Sequence, residues 1–259
     1  MDSLTVSAVE HVATVTMNRP EVRNAFNETT IAELTQAFRD LGKDERIRVI
    51  VLAANGPAFC AGADLNWMKK MADYTHEENL ADAGQLAEML RVIYTCPQPV
   101  VAKIQGDCYA GGMGLAAACD MAVAVDTAYF CLSEVRLGLI PATISPYVIK
   151  AMGESAARRY FLTAERFSAA DALRMGFVQE AVAADQLDAK VAEIVKALAG
   201  NSPNAVKQAK QLVQDVSGRE ITAELIAGTV AGIAQIRASD EGREGVRSFL
   251  EKRKPSWLQ

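Results

Sequence analysis

The chain has 259 residues, 50% of them hydrophobic, enough for a sizeable buried core in one domain or one domain with an appendage. A net charge of −5 and a pI of ≈ 5.2 argue against a nucleic-acid surface; the one basic cluster, Glu251-Lys252-Arg253-Lys254, is short and carries its own acid. No membrane span is expected, because Asp120 interrupts the longest apolar stretch, and no charged-then-apolar leader opens the sequence. Five cysteines without CxxC spacing fit small buried thiols in a reduced, cytoplasmic protein.

Residues 3–17 alternate in the β manner twice, Leu4/Val6 and then Ala13/Val15/Met17, about a short turn. Asn18-Arg19-Pro20 breaks the pattern and leads to a helix capped by Asn27, with Ile31, Leu34, Phe38 and Leu41 at helical spacing. Val49 to Ala53 is a continuous apolar run, the mark of a strand buried on both faces. A loop from Asn55 to Asp64, a helix near 78–94 and a second buried strand over 99–105 follow. Then come the Gly-rich run Cys108-Tyr109-Ala110-Gly111-Gly112-Met113-Gly114, a short helix from Leu115 to Cys119, and a third buried strand from Met121 to Val125. This βα alternation predicts a layered α/β core. Beyond about residue 150 the pattern turns helical, over 155–164, 168–175, 185–199, 203–215 and 219–238. Gly200-Asn201-Ser202-Pro203 reads as a joint, with Ser202 capping and Pro203 at the first helical position.

The Gly-rich run lacks side chains that would hold a ligand away from backbone N–H groups, and a helix start there would aim positive charge at it. A second small-residue loop, Phe59-Cys60-Ala61-Gly62-Ala63-Asp64-Leu65, follows a buried strand, where α/β sheets bind ligands. Two such loops in adjacent units predict converging amides able to hold an oxyanion. Glu134 ends the apolar run Phe130-Cys131-Leu132, so partial burial is expected to raise its pKa into a useful acid/base range; the competing expectation is an ion pair with Arg136. Gly112-x-Gly114-x-x-Ala117 formally matches a dinucleotide fingerprint, but the helix there is too short for that fold. His11, expected in a strand, and His76, at a polar helix start, are too few and too far apart for a metal site. No GxSxG occurs, and no histidine accompanies Cys60 or Cys108.

Ala61-Gly62-Ala63-Asp64-Leu65, Tyr109-Ala110-Gly111-Gly112, Cys119-Asp120 and Ser133-Glu134-Val135-Arg136-Leu137-Gly138-Leu139-Ile140-Pro141 together resemble the crotonase (enoyl-CoA hydratase/isomerase) superfamily. Met17-Asn18-Arg19-Pro20 and Phe249-Leu250-Glu251-Lys252-Arg253 fit as well, so the resemblance spans almost the whole chain. It implies a spiral core of repeated ββα turns over 1–200 with the thioester site, and a helical trimerisation layer over 201–259. Trimers that pair into hexamers are also implied. The ligand implied is an acyl-CoA, whose thioester oxygen would accept from the Ala63 and Gly111 N–H groups; coenzyme A is then part of the substrate and no further cofactor or metal is expected. The resemblance puts Arg23, Ala25, Ala61, Asp64 and Leu65 near the coenzyme, and Phe249 and Lys252 near its adenine end, in some members on a neighbouring subunit. Trp67, with Met68 and Met71, is expected either to line the acyl tunnel or to serve the core.

One departure stands out. Family hydratases carry two glutamates twenty positions apart; the later maps to Glu134 and the earlier falls on Gly114. The Pro-Gly-Ala-Gly-Gly-like stretch that follows is changed to Pro141-Ala142-Thr143-Ile144-Ser145. With Glu134 alone, either one carboxylate serves both proton steps of hydration or the enzyme is a 3,2-enoyl-CoA isomerase. Asp64-Leu65-Asn66-Trp67-Met68, Leu132 to Arg136 and Ile144 to Lys150 resemble hydratases of branched glutaconyl-CoA esters, such as 3-methylglutaconyl-CoA of leucine breakdown or its isohexenyl analogue of isoprenoid breakdown. A cation such as Lys69, Arg136 or Lys150 is then expected to face the acyl pocket; alternatively, the substrate's own carboxylate assists proton transfer where Gly114 leaves space. The alternative of another class is a non-catalytic CoA-ester or RNA-binding protein; the acidic first helix, with Glu28, Glu33 and Asp40, disfavours RNA.

Overall fold

In a computed structural model, which describes residues 2–259, the chain opens with an antiparallel hairpin of β1 (Leu4–Val9) and β2 (Val12–Met17). β2 buries Ala13, Val15 and Met17 as its alternation demands. β1 buries only Leu4, and Val6 stays 43% exposed, because β1 is the sheet edge. His11 lies in the turn between the strands rather than in one. Asn27 caps α1 (Glu28–Lys43) by accepting from the Thr30 N–H, and Ile31, Leu34 and Phe38 form its buried face.

The chain then winds in turns that each place one strand in each of two sheets. β3 (Val49–Ala54) and β4 (Ala58–Cys60) are followed by α2 (Leu65–Met71) and α3 (His76–Tyr94). β5 (Val100–Ile104) and β6 (Asp107–Tyr109) are followed by α4 (Gly111–Ala118), and β7 (Met121–Val125) by β8 (Tyr129–Cys131). Next come α5 (Ser145–Met152), α6 (Glu154–Thr163), β9 (Phe167–Ser168), α7 (Ala169–Arg174), β10 (Glu180–Val182) and α8 (Leu187–Ala199). The six-stranded sheet runs β1-β2-β3-β5-β7-β10, parallel from β2 onward; the four-stranded sheet runs β4-β6-β8-β9, with only β9 antiparallel. The architecture is therefore α/β, with β3, β5 and β7 nearly all buried as their apolar runs require. Among the described residues no helix is long and apolar enough to cross a membrane.

Several boundaries differ from the sequence expectation. The 55–64 segment is not all loop: it contains β4. The Gly-rich run is split between the end of β6 and the first turn of α4, so the helix begins at Gly111 rather than Leu115. Strands continue beyond residue 150, and β10 completes the large sheet through its pairing with β7. Two- and three-residue strands carry too little alternation to register as a pattern. α5 was likewise unforeseen, and the Pro146 in its first turn is a start signal only once the fold is known.

Three further helices, α9 (Pro203–Val216), α10 (Ala223–Ala238) and α11 (Asp240–Leu250), follow the capped Ser202–Pro203 joint, and α11 lies outside any segment the periodicity marked. Polar ties fasten this layer to the core. The Lys210 ammonium donates to Asp120 Oδ2 at 2.7 Å and to the Gln98 carbonyl at 3.1 Å, and Gln214 donates to the Tyr94 carbonyl. The Arg48 guanidinium reaches back from β3's edge to the Trp257 carbonyl at 3.0 Å.

The Asp120 side chain is 24% exposed; its partial burial pushes the carboxyl up, while Lys210 and the Val100 N–H oppose that shift. Lys210→Met should cost about 2 kcal/mol in urea unfolding at neutral pH, since it strands a carboxylate without its cation. The loss should shrink as pH falls and Asp120 becomes protonated in both states.

Candidate active site

Three neighbouring parallel strands of the small sheet end on the same side. Cys60 of β4 pairs with Cys108 of β6, and Tyr109 of β6 pairs with Cys131 of β8. Strands in a sheet lie about 4.8 Å apart, so the segments leaving them, 61–64, 110–112 and 132–134, are delivered side by side. They carry Ala63, Gly111 and Glu134.

The first segment is held by its backbone. Phe26 N–H donates to the Gly62 carbonyl at 2.9 Å and Asp64 N–H to the Phe26 carbonyl at 3.0 Å, a parallel bridge that turns the N–H of Ala63 away from Phe26. Asp64 locks the loop from below: Oδ2 takes the Arg19 guanidinium at 2.8 Å and Oδ1 caps α2 through the Asn66 N–H. Burial pushes the Asp64 carboxyl up, but the bonds from Arg19 and the α2 amides outweigh it and hold the group below its usual value. Arg19 also donates to the Ala25 carbonyl, and buried Asn24 bridges Arg19 N–H to the Asn55 and Ala58 carbonyls.

The second segment is shaped by close packing. Ala110 adopts φ 46, a conformation costing about 1–3 kcal/mol for a residue with a side chain, and its N–H is pinned to the Cys131 carbonyl at 2.8 Å. That turn starts α4 at Gly111, whose N–H is one of the helix's free first-turn donors. A Cβ on Gly111 would stand 2.2 Å from Phe26 Cζ, and one on Gly112 would stand 2.7 Å from the Cys60 carbonyl oxygen. Only glycine fits at either position, and the two loops touch because of it.

The third segment brings Glu134 to the first position of a 3-10 turn, 134–137. Burial raises its pKa, and its Oε2 is enclosed without a hydrogen-bond partner. The ion pair with Arg136 does not form; Arg136 instead donates to the Ala164 carbonyl. A half-buried carboxylate with one unpartnered oxygen, on the segment next to those that carry the Ala63 and Gly111 amides, can move a proton at a carbon next to a polarised carbonyl.

The remaining sequence candidates fall into three groups. Arg23 and Ala25 lie beside the first loop: the Arg23 carbonyl accepts from Ala61 N–H at 3.0 Å, and among the described residues the exposed Arg23 guanidinium has no recorded partner. Leu65 is 75% exposed at the start of α2, and Trp67 is buried against Phe26 with its indole N–H on Asp82 at 3.0 Å, a core position in the wall of the site. Phe249 and Lys252 stand apart, on α11 and its left-handed end, which packs on α9 and α10; Phe249 is 81% exposed.

The space expected beside Gly114 is not open. A Cβ on Gly114 would lie 2.2 Å from Ile144 Cγ2, so the substrate carboxylate assigned to that space has no room there. The sequence gives no role to Phe26 or Asn24, no contact between Ile144 and Gly114, and no sign of the Arg19 partner, which lies 45 positions away. The only local signal was the altered 141–145 stretch.

The enoyl-CoA hydratase/isomerase family model matches residues 7–259. The enoyl-CoA hydratase ACTT6 of Alternaria alternata is 33% identical, covering 95% of this chain and 80% of that protein. The crystal structure of an enoyl-CoA hydratase from Shewanella pealeana superposes with a TM-score of 0.96 at 42% identity, over 98% of this chain and 96% of that one. An enoyl-CoA hydratase from Mycobacterium smegmatis gives 0.93 at 34% identity, over 99% of both chains. With motifs, fold and full-length relatives in agreement, this chain belongs to the enoyl-CoA hydratase/isomerase family and is an enzyme of it.

Proposed function

We propose that the enzyme is an enoyl-CoA hydratase that adds water across the 2,3 double bond of an acyl-CoA thioester, with Glu134 as its acid and base. The observation that carries this is the half-buried Glu134 carboxylate, with its Oε2 enclosed and unpartnered, at the sheet end that also presents Ala63 and Gly111. As water attacks C3, negative charge builds on the thioester oxygen, where the Ala63 and Gly111 N–H groups stabilise it. Glu134 takes a proton from the water and returns one to C2, and its raised pKa brings its two protonation states closer in energy near neutral pH. Arg23 supplies a free cation for the coenzyme phosphates, and Ala25, Ala61, Asp64 and Leu65 border its path. Coenzyme A arrives as part of the substrate, so the scheme uses no separate cofactor.

For the acyl group we favour a branched glutaconyl chain, as the 64–68, 132–136 and 144–150 segments suggest. Of the three cations considered for its second carboxylate, Arg136 is engaged by Ala164 and Lys150 by the Tyr94 hydroxyl at 3.1 Å. Lys69, exposed on α2 with no recorded partner among the described residues, is the cation still free. A 3,2-enoyl-CoA isomerase is the second reading, favoured by Ile144 standing where another acid would be. Incubating 2-enoyl- and 3-enoyl-CoA separately, and following hydroxyacyl product, separates the two.

The C-terminal layer suits a homotrimer or a dimer of trimers. Phe249, Leu250, Val213 and Val230 are exposed, and α9 and α10 flank an open groove of about 850 Å³. Exposed apolar area of this kind marks an interaction surface; covered by another copy, it would also carry Phe249 and Lys252 to a neighbour's coenzyme. Sedimentation should give three or six times the mass of one chain; a monomer at micromolar concentration would rule this out.

Glu134→Gln should lower kcat by about 100-fold or more while CoA binding stays nearly intact. Because burial raises the folded-state pKa, the ionised carboxylate destabilises the fold above that pKa. The same variant should therefore melt higher than wild type at neutral pH, with the gain fading as pH falls to the usual carboxylate range. Finally, kcat/KM for 3-methylglutaconyl-CoA should exceed that for crotonyl-CoA by roughly tenfold or more, the worth of one well-placed polar contact; equal values would dismiss the glutaconyl assignment.

A further inference from the structure

We infer that Ile144 is a specificity-determining residue, seated on Gly114 so that the position of a second proton-transfer group is closed and Glu134 is left as the only one. The inference rests on Glu134 being the acid/base. Gly114 lies one turn beyond Gly111 on α4, so a side chain there would project beside the proposed oxyanion donor. A Cβ at Gly114 would stand 2.2 Å from Ile144 Cγ2 and 2.8 Å from Ile144 Cβ. The second distance matters more, because Cβ is fixed to the backbone and a β-branched side chain cannot swing clear.

Nor can the backbone of Ile144 withdraw easily. Ile144 is 2% exposed and caps α5, its carbonyl accepting from the Tyr147 and Val148 N–H groups at 3.1 Å each. α5 is anchored by buried Val148 and Met152, by the edge contact of Tyr147 with Tyr94 at 5.3 Å, and by Lys150 on the Tyr94 hydroxyl. Gly114 and Ile144 thus form one complementary pair: glycine admits the isoleucine, and the isoleucine forbids anything larger than glycine. The Ile144 hydrocarbon also offers no hydrogen bond to a water on that side.

The test is a cycle of Gly114→Glu, Ile144→Gly and the pair together, assayed for hydration across pH. Gly114→Glu alone should lose at least tenfold in kcat/KM. The double variant should regain most of that loss, and its kcat/KM profile should acquire a second carboxyl ionisation absent from wild type. A purely structural role for Ile144 would restore the melting temperature and leave the profile unchanged, which would overturn the inference; so would a Gly114→Glu enzyme already showing two ionisations. If Gly114→Glu does not fold, Gly114→Ala and Gly114→Ala/Ile144→Ala read the same closure: the single variant should melt lower and the double should recover. Additive melting shifts there would overturn the closure. Glu134→Gln, run alongside, separates the failures: normal turnover in that variant would sink the acid/base assignment itself, whereas loss of turnover with an unchanged double-variant profile would sink only the role of Ile144.

Discussion

The parallel pairing of β4, β6 and β8 is the constraint on which the site depends. Each strand is only three residues long, yet each delivers the next segment to the same edge at strand spacing. Segments carrying two amides and a carboxylate, separated by tens of residues in sequence, become neighbours through four residue pairs. The large buried sheet supplies the stability that such short strands cannot supply for themselves.

Close approach is the second theme. Gly111, Gly112 and Gly114 each face an atom, of Phe26, Cys60 or Ile144, within a distance no Cβ tolerates. α4 is therefore pressed into its surroundings on several sides, which fixes the direction of its free first-turn N–H groups. The Arg19–Asp64 pair does the equivalent work for the facing loop, with both carboxylate oxygens occupied by the protein. Packing of this kind holds the backbone donors of both loops in fixed directions.

Glu134 shows the opposite arrangement. The enzyme gives nearly every other buried polar group a partner but leaves one oxygen of this carboxylate without one. Burial raises its pKa, and no neighbouring acid is needed to do so. A buried carboxylate oxygen without a partner costs stability, and under the proposed function that cost falls at the reacting group.

The long apolar runs that became β3, β5 and β7, the cap and face of α1, and the Ser202–Pro203 joint were legible in the chain, since each is a local pattern with a local cause. The motifs around Ala63, Gly111 and Glu134 were legible too, as was the absence of an acid at position 114. β4, β6, β8, β9 and β10 were too short for periodicity to mark in full, and the start of α4 was hidden because glycine propensity argues against a helix. What tertiary structure alone decided was the partnership between distant residues: Arg19 with Asp64, Lys210 with Asp120, and Ile144 on Gly114. Sequence determines which groups are available and which backbone each prefers; whether the space beside Gly114 is open or filled depends on which side chain the fold brings across to it.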